Sequence, residues 1–241
     1  KDITDFRWKQ LMDFDACTNC GRCQDQCPAY ASGKPLSPRK IIQDLREFST
    51  KRSTDILNNN KSGFGSDASD GVGMIDFVNP EAIWACTTCM ACMEACPVFI
   101  GHIDSIVDMR RNLVLEKSEM PESAMNALQS IEQRGHPWKG TAFTRTDWFK
   151  GLDIKTMEED KDVEILFWVG CTSSLDERSQ AVARAMASVL KVSGVKFGIL
   201  GNEETCTGDP ARRMGNEYLF QMQAQQNIDT FKKYDIKKIV T

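Results

Sequence analysis

Only two histidines occur in the 241 residues, and no stretch approaches the roughly 18 consecutive apolar residues that a membrane-spanning helix needs. His102 and His136 sit in no nucleophile motif, so a catalytic cysteine would lack a base, and both are expected to be ordinary structural or surface residues. Basic charge is not in surplus either: 30 Lys and Arg stand against 34 Asp and Glu, a net charge of -4 that argues against a nucleic-acid partner. Gly194, Gly198 and Gly201 do not make a dinucleotide fingerprint, so bound NAD or FAD is unsupported. The chain opens on Lys1 without a methionine or a signal-like segment, and it stops at Ile239-Val240-Thr241 inside a strand-like run. It is therefore expected to be a fragment, with any membrane segment lying outside it. Hydrophobic residues at 41% and charged residues at 27% fit a folded chain of one or two domains.

Cysteine, by contrast, is abundant. Eight of the ten fall in two runs, Cys17-Thr18-Asn19-Cys20-Gly21-Arg22-Cys23-Gln24-Asp25-Gln26-Cys27-Pro28 and Cys86-Thr87-Thr88-Cys89-Met90-Ala91-Cys92-Met93-Glu94-Ala95-Cys96-Pro97. Both read C-x2-C-x2-C-x3-C-P. Such short spacings favour a metal over disulfides, and free thiolates suit a reducing compartment, the cytoplasm or the cytoplasmic face of a membrane. A 4Fe-4S cube needs four thiolates converging from different directions; three at x2 spacing wrap three corners, and in two-motif ferredoxins the fourth cysteine of each run ligates the other cluster. One cluster is thus expected on Cys17, Cys20, Cys23 and Cys96, the other on Cys86, Cys89, Cys92 and Cys27. Small residues at Gly21 and Ala91 are expected to let backbone N–H groups approach the sulfides. Structural zinc also takes four thiolates, but its sites usually pair two C-x2-C units.

Three regions separate on pattern. Residues 1–134 read as helical: Trp8, Leu11, Met12 and Phe14 fall at helical spacing, Ser37-Pro38 supplies an N-cap, and Ile41, Ile42 and Leu45 continue the stripe. Ile103, Ile106, Val107, Arg110, Leu113 and Val114 repeat the period after the second motif, and residues 58–74 read as a polar loop. Residues 135–162 read as a linker. From 163 to 241 the order is strand (164–169), helix (176–192), strand (197–200), long helix (about 210–234) and strand (238–240), the pattern of a parallel sheet. Asp209-Pro210 is expected to cap the long helix, and Arg110-Arg111 and Arg212-Arg213 to lie on solvated faces.

The wide separation of the two runs, with helices flanking both, resembles the alpha-helical ferredoxin domain of succinate dehydrogenase-type iron-sulfur subunits and heterodisulfide reductases. Cys171, after the first strand of the last region, and Cys206-Thr207-Gly208, after the second, resemble the cysteine-rich CCG domain of the heterodisulfide reductase family. The implied fold is mixed α and α/β: an alpha-helical ferredoxin domain with two 4Fe-4S clusters, then the truncated start of an α/β CCG-type domain with a parallel sheet. Thr207 stands where that family has a second adjacent cysteine, which sets this chain apart from its five-thiolate noncubane chemistry. Cys171 and Cys206 would instead join a later cysteine pair in a possible third iron-sulfur cluster of the intact protein.

The resemblance, strongest to the D-like heterodisulfide reductase proteins of a membrane-associated branch, implies part of an oxidoreductase with no complete catalytic site here. It would relay electrons from a redox flavoprotein, electron-transfer flavoprotein or a flavin dehydrogenase subunit, to a membrane quinone or haem module or a disulfide-type acceptor. The iron-sulfur subunit of a glycerol-3-phosphate, glycolate or lactate dehydrogenase is an alternative, and a non-redox metal-stabilised protein is another.

Overall fold

A computed structural model of the chain describes residues 2–57, 74–138 and 142–241. All but the last residue of the polar stretch 58–74 lies outside the described residues. Two compact units emerge, Lys1–Glu119 and Met120–Thr241.

In the first unit, α1 (Trp8–Ala16) buries Phe14 but turns Trp8 and Met12 to solvent, unlike the stripe expected from spacing. Its inward face is partly polar because it is bonded across the unit: Gln10 donates to Asp108 at 2.6 Å and the Gly101 amide donates to Asp13 at 3.1 Å. Short helices α2 (Arg22–Asp25) and α3 (Pro28–Ala31) follow. The long α4 (Pro38–Leu57) begins where Ser37 Oγ accepts from the Lys40 amide, the expected N-cap, and buries Ile41, Ile42, Leu45 and Phe48. Each such side chain contributes about 1.5–3 kcal/mol by leaving water. After α5 (Met74–Phe77), Asn79 caps α6 (Pro80–Ala85) by accepting from Glu81 N. Then come α7 (Ala91–Glu94) and α8 (His102–Arg111), which runs on into a π-helical turn, Asn112–Lys117. One core joins α1, α3 to α6, α8 and the π-helical turn, and the fourth cysteines of the two runs, Cys27 and Cys96, belong to it; Cys23 of α2 and Cys92 of α7 pack with Ile103 in a separate group.

Arg110 corrects the expectation of a solvated face. It is buried, its guanidinium donating to the carbonyls of Ile83 at 2.7 Å and Cys86 at 2.6 Å while lying over the Trp84 ring.

The second unit starts earlier than the linker expected at 135–162, taking in α9 (Glu122–Arg134). The reason is local bonding: Ser130 Oγ donates to the His136 carbonyl, and the Cys206 amide donates to the Gly135 carbonyl at 2.7 Å. Strands β1 (Ile165–Phe167), β2 (Phe197–Gly198) and β3 (Ile239–Val240) form a parallel sheet in the order β2-β1-β3, with Ile165 opposite Phe197 and Leu166 opposite Ile239. Alternation along β1 serves both faces. Phe167 packs with Trp148, Ala183, Ala187 and Ile199, whereas Leu166 and Trp168 pack with Met157, Leu200 and Tyr234. Beyond β1 lies α10 (Gly170–Leu175), then α11 (Glu177–Val192), capped by Asp176.

The long helix expected over 210–234 is two helices, α12 (Asp209–Arg213) and α13 (Glu217–Lys233). Gly215 takes φ +91, and Asn216 accepts from the Leu219 amide to open the second helix. The cap of α12 is Gly208 rather than Asp209-Pro210; Asp209 is its first helical residue and pairs with Arg213 at 2.8 Å.

Candidate metal centres

Both cysteine runs fold alike. Cys17 ends α1 and Cys86 ends α6; two residues on, Asn19 and Thr88 are left-handed (φ 57 and 56); two further on, Gly21 and Met90 are left-handed again and open α2 and α7. Met90, not Ala91, therefore occupies the position of Gly21. These turns present the first three sulfurs of each run to one side, and the proline after the fourth starts a new direction.

A recess is bordered by Cys17, Cys20, Cys23 and, from the other run, Cys96. A second is bordered by Cys86, Cys89, Cys92 and Cys27. Charge interactions follow much the same grouping, with Cys23 acting on Cys92 as well. Burial pushes the Cys23 thiol up to about 11, and its neighbours Cys17, Cys96 and Cys20 push in the same direction. Burial pushes Cys92 up to about 12, aided by Cys86, Cys23, Cys27 and Cys89. Exposed Cys20 is instead held down, first by the Arg22 backbone N–H. Among the described residues, no three His, Cys, Asp or Glu side chains are placed to hold a single metal ion.

Donors point at several sulfurs. The Gln43 side-chain amide donates to Cys17 Sγ at 3.1 Å, the Thr88 amide to Cys86 Sγ at 3.3 Å, and the Ile100 amide to Cys96 Sγ at 3.4 Å. His102 borders the first recess, buried, with Nδ1 3.0 Å from the Ile100 carbonyl; burial lowers its pKa and favours the neutral ring. An all-sulfur donor set around a void, with N–H groups on the sulfurs, fits a cubane cluster.

In the second unit, Cys171 at the start of α10 and Cys206 in the loop after β2 lie close enough to influence each other's titration, at the carboxyl edge where open parallel sheets bind ligands. Cys206 is fixed by three bonds: its amide to Gly135, its carbonyl from Asn227 Nδ2 at 2.9 Å, and its sulfur from the Gly208 amide at 3.4 Å. Gly208 is needed there, since at φ +83 an added Cβ would lie 3.0 Å from the Phe220 carbonyl oxygen. Arg145 and Glu204, neither singled out in the sequence as a site residue, form a buried ion pair at 2.7 Å. Glu204 accepts from the amides of Val169 and Gly170, and Arg145 Nη1 reaches Cys171 Sγ at 3.5 Å. The hydrogen bond from Cys206, opposed by burial and reinforced by Arg145, holds the Cys171 thiol well below its usual range; the same bond and burial push Cys206 up.

Residues 13–100 match the 4Fe-4S dicluster domain, and residues 165–241 match the cysteine-rich domain. The chain is thus an iron-sulfur protein in which a domain for two 4Fe-4S clusters is followed by a cysteine-rich domain. Its homologues include the EtfAB:quinone oxidoreductase of Syntrophomonas wolfei, 40% identical over 260 residues, 100% of this chain and 36% of that one. A probable membrane-anchored ferredoxin of Chromohalobacter salexigens is 39% identical over 246 residues, 98% and 37% of the two chains. The D component of the dihydromethanophenazine:CoB–CoM heterodisulfide reductase of Methanosarcina mazei is 32% identical over 238 residues, 96% and 55%. The chain therefore spans only about a third to just over half the length of these relatives.

Proposed function

We propose that this chain is the electron-transfer module of a larger oxidoreductase, relaying single electrons between a flavoprotein donor and a quinone or haem acceptor. The observation that carries this reading is the pair of four-thiol recesses, each drawing three cysteines from one run and the fourth from the other. Cys17, Cys20, Cys23 and Cys96 would hold one cluster and Cys86, Cys89, Cys92 and Cys27 the other. Bound there, the clusters supply reversible one-electron chemistry. The protein's own part is to exclude water with Cys23, Cys27, Cys92 and Cys96 buried, while Cys20 and Cys89 stay exposed as the points nearest solvent and a partner.

The flavoprotein-to-quinone direction is supported by the name of the Syntrophomonas relative, which couples EtfAB to quinone. Association with a membrane is supported by the relative named as membrane-anchored, and its cytoplasmic face would suit free thiolates; among the described residues, no helix is long and apolar enough to cross a bilayer. Cys171 and Cys206 would supply two ligands of a third cluster, with the remaining ligands outside residues 1–241. Anaerobic purification tests the core of the proposal: iron and acid-labile sulfide equal to two cubanes per chain, with paramagnetic resonance signals after dithionite, are expected. Zinc in place of iron would overturn it.

A further inference from the structure

The two cluster sites are built alike, yet differ in the side chain that faces the first cysteine of each run from a neighbouring helix. On α4, Gln43 and Arg46 face Cys17: Gln43 donates to its sulfur at 3.1 Å, and Arg46 reaches its carbonyl at 3.5 Å. On α8, Arg110 donates to the carbonyl of Cys86, the matching first cysteine, at 2.6 Å. Arg46 and Arg110 are thus counterparts. Three residues before each, on the same helical face, stand Gln43 and Val107. Val107 is half-buried against the group of Cys23, Cys92 and Ile103, and an isopropyl group has no hydrogen to donate to sulfur.

We propose that Gln43 is a positioning residue that sets the potential of the first cluster. Its N–H to the Cys17 sulfur favours the more negative, reduced state, whereas at the second cluster Val107 offers no side-chain donor and Cys86 Sγ accepts from the Thr88 backbone amide. The inference rests on the cluster assignment above and deepens it. The orientation of the amide follows from chemistry: a ligating thiolate only accepts, so the NH2 end must face it. Reduction adds one electron to the cluster and breaks no bond to protein. A hydrogen bond to a group gaining charge therefore shifts the reduction equilibrium directly.

Reciprocal variants test this on the whole chain with both clusters loaded. Gln43→Val should lower the midpoint of the first cluster by about the equivalent of a tenfold change in its reduction equilibrium, roughly 59 mV for one electron. Val107→Gln should raise the midpoint of the second by a similar amount, and each variant should leave the other cluster unmoved. Potentiometric titration followed by paramagnetic resonance reads both, with Cys20→Ser and Cys89→Ser marking which signal belongs to which site. If Gln43→Val fails to retain iron, Val107→Gln alone decides. Unchanged midpoints in a fully loaded variant overturn the inference while leaving the cluster assignment standing. Absence of iron from the unaltered protein would overturn the assignment itself.

Discussion

At the scale of single residues, the grouping of the first three cysteines of each run was legible because it is local: three sulfurs per run are carried by one short stretch of backbone, whereas the crossing of Cys27 and Cys96 was an expectation taken from two-motif ferredoxins. Gln43, Arg110, Arg145 and Glu204 were not, because their roles come from partners 24 to 59 positions away. Two arginines in a row after an apolar stripe look solvated on average, and only the fold reveals that Arg110 faces inward on three carbonyls. The Arg145–Glu204 pair gives the clearest prediction on stability. Both side chains are almost fully buried, at 4% and 3% exposure. Arg145→Met strands a charged Glu204 beside the Cys171 loop, and denaturant unfolding should show a loss of roughly 3–5 kcal/mol. Adding Glu204→Gln should restore part of it, because the stranded charge is removed, although Val169 and Gly170 donate to separate carboxylate oxygens and the single amide oxygen can accept from only one of them. A double variant no more stable than Arg145→Met would mean that lost packing, not the stranded charge, causes the effect.

At the scale of elements, strong signals survived and weak ones did not. Ser37 before Pro38, Asn79 before Pro80 and Asp176 before Glu177 all open helices, since a side-chain oxygen there satisfies an amide that the helix leaves free. The break between α12 and α13 is faint in the sequence because Met214-Gly215-Asn216 interrupts the apolar period by too little to notice, although a glycine followed by a capping asparagine is the available clue. The first two strands are shorter than their apolar runs: beyond β1 the chain enters α10, which carries Cys171, and beyond β2 it enters the helical turn Gly201–Glu203 that leads to Cys206. Asp176 permits a test by pH. The Ser179 hydroxyl and amide hold its carboxyl below the usual range. A carboxyl lowered in the folded state contributes stability above its unfolded pKa of about 3.9 that is lost as pH falls through the lower folded value. Asp176→Ala should therefore lower the thermal midpoint at pH 7 and narrow its distance from the unaltered protein below about pH 4. A gap constant across that range would show that the cap acts without its charge.

At the scale of the whole chain, the succession of a helical part and an α/β part was readable from the change of hydrophobic period near residue 163, whereas the two clusters were read from the cysteine runs and the cysteine-rich domain from resemblance. The division of the chain was not readable, because α9 has an ordinary amphipathic pattern, and its place in the second unit goes with long-range contacts such as the bond from Cys206 to Gly135. What makes residues 1–119 a single unit is more than a shared apolar core. Each recess takes its fourth cysteine from the distant run, so under the proposed ligand sets each cluster would tie the two runs together. Exchange of ligands is the central claim, and single substitutions of the crossing cysteines test it most directly. Cys27→Ser should alter the resonance signal that Cys89→Ser also alters, and Cys96→Ser the signal that Cys20→Ser alters. If Cys27→Ser instead disturbs the signal marked by Cys20→Ser, each run holds its own cluster and the crossed arrangement is contradicted.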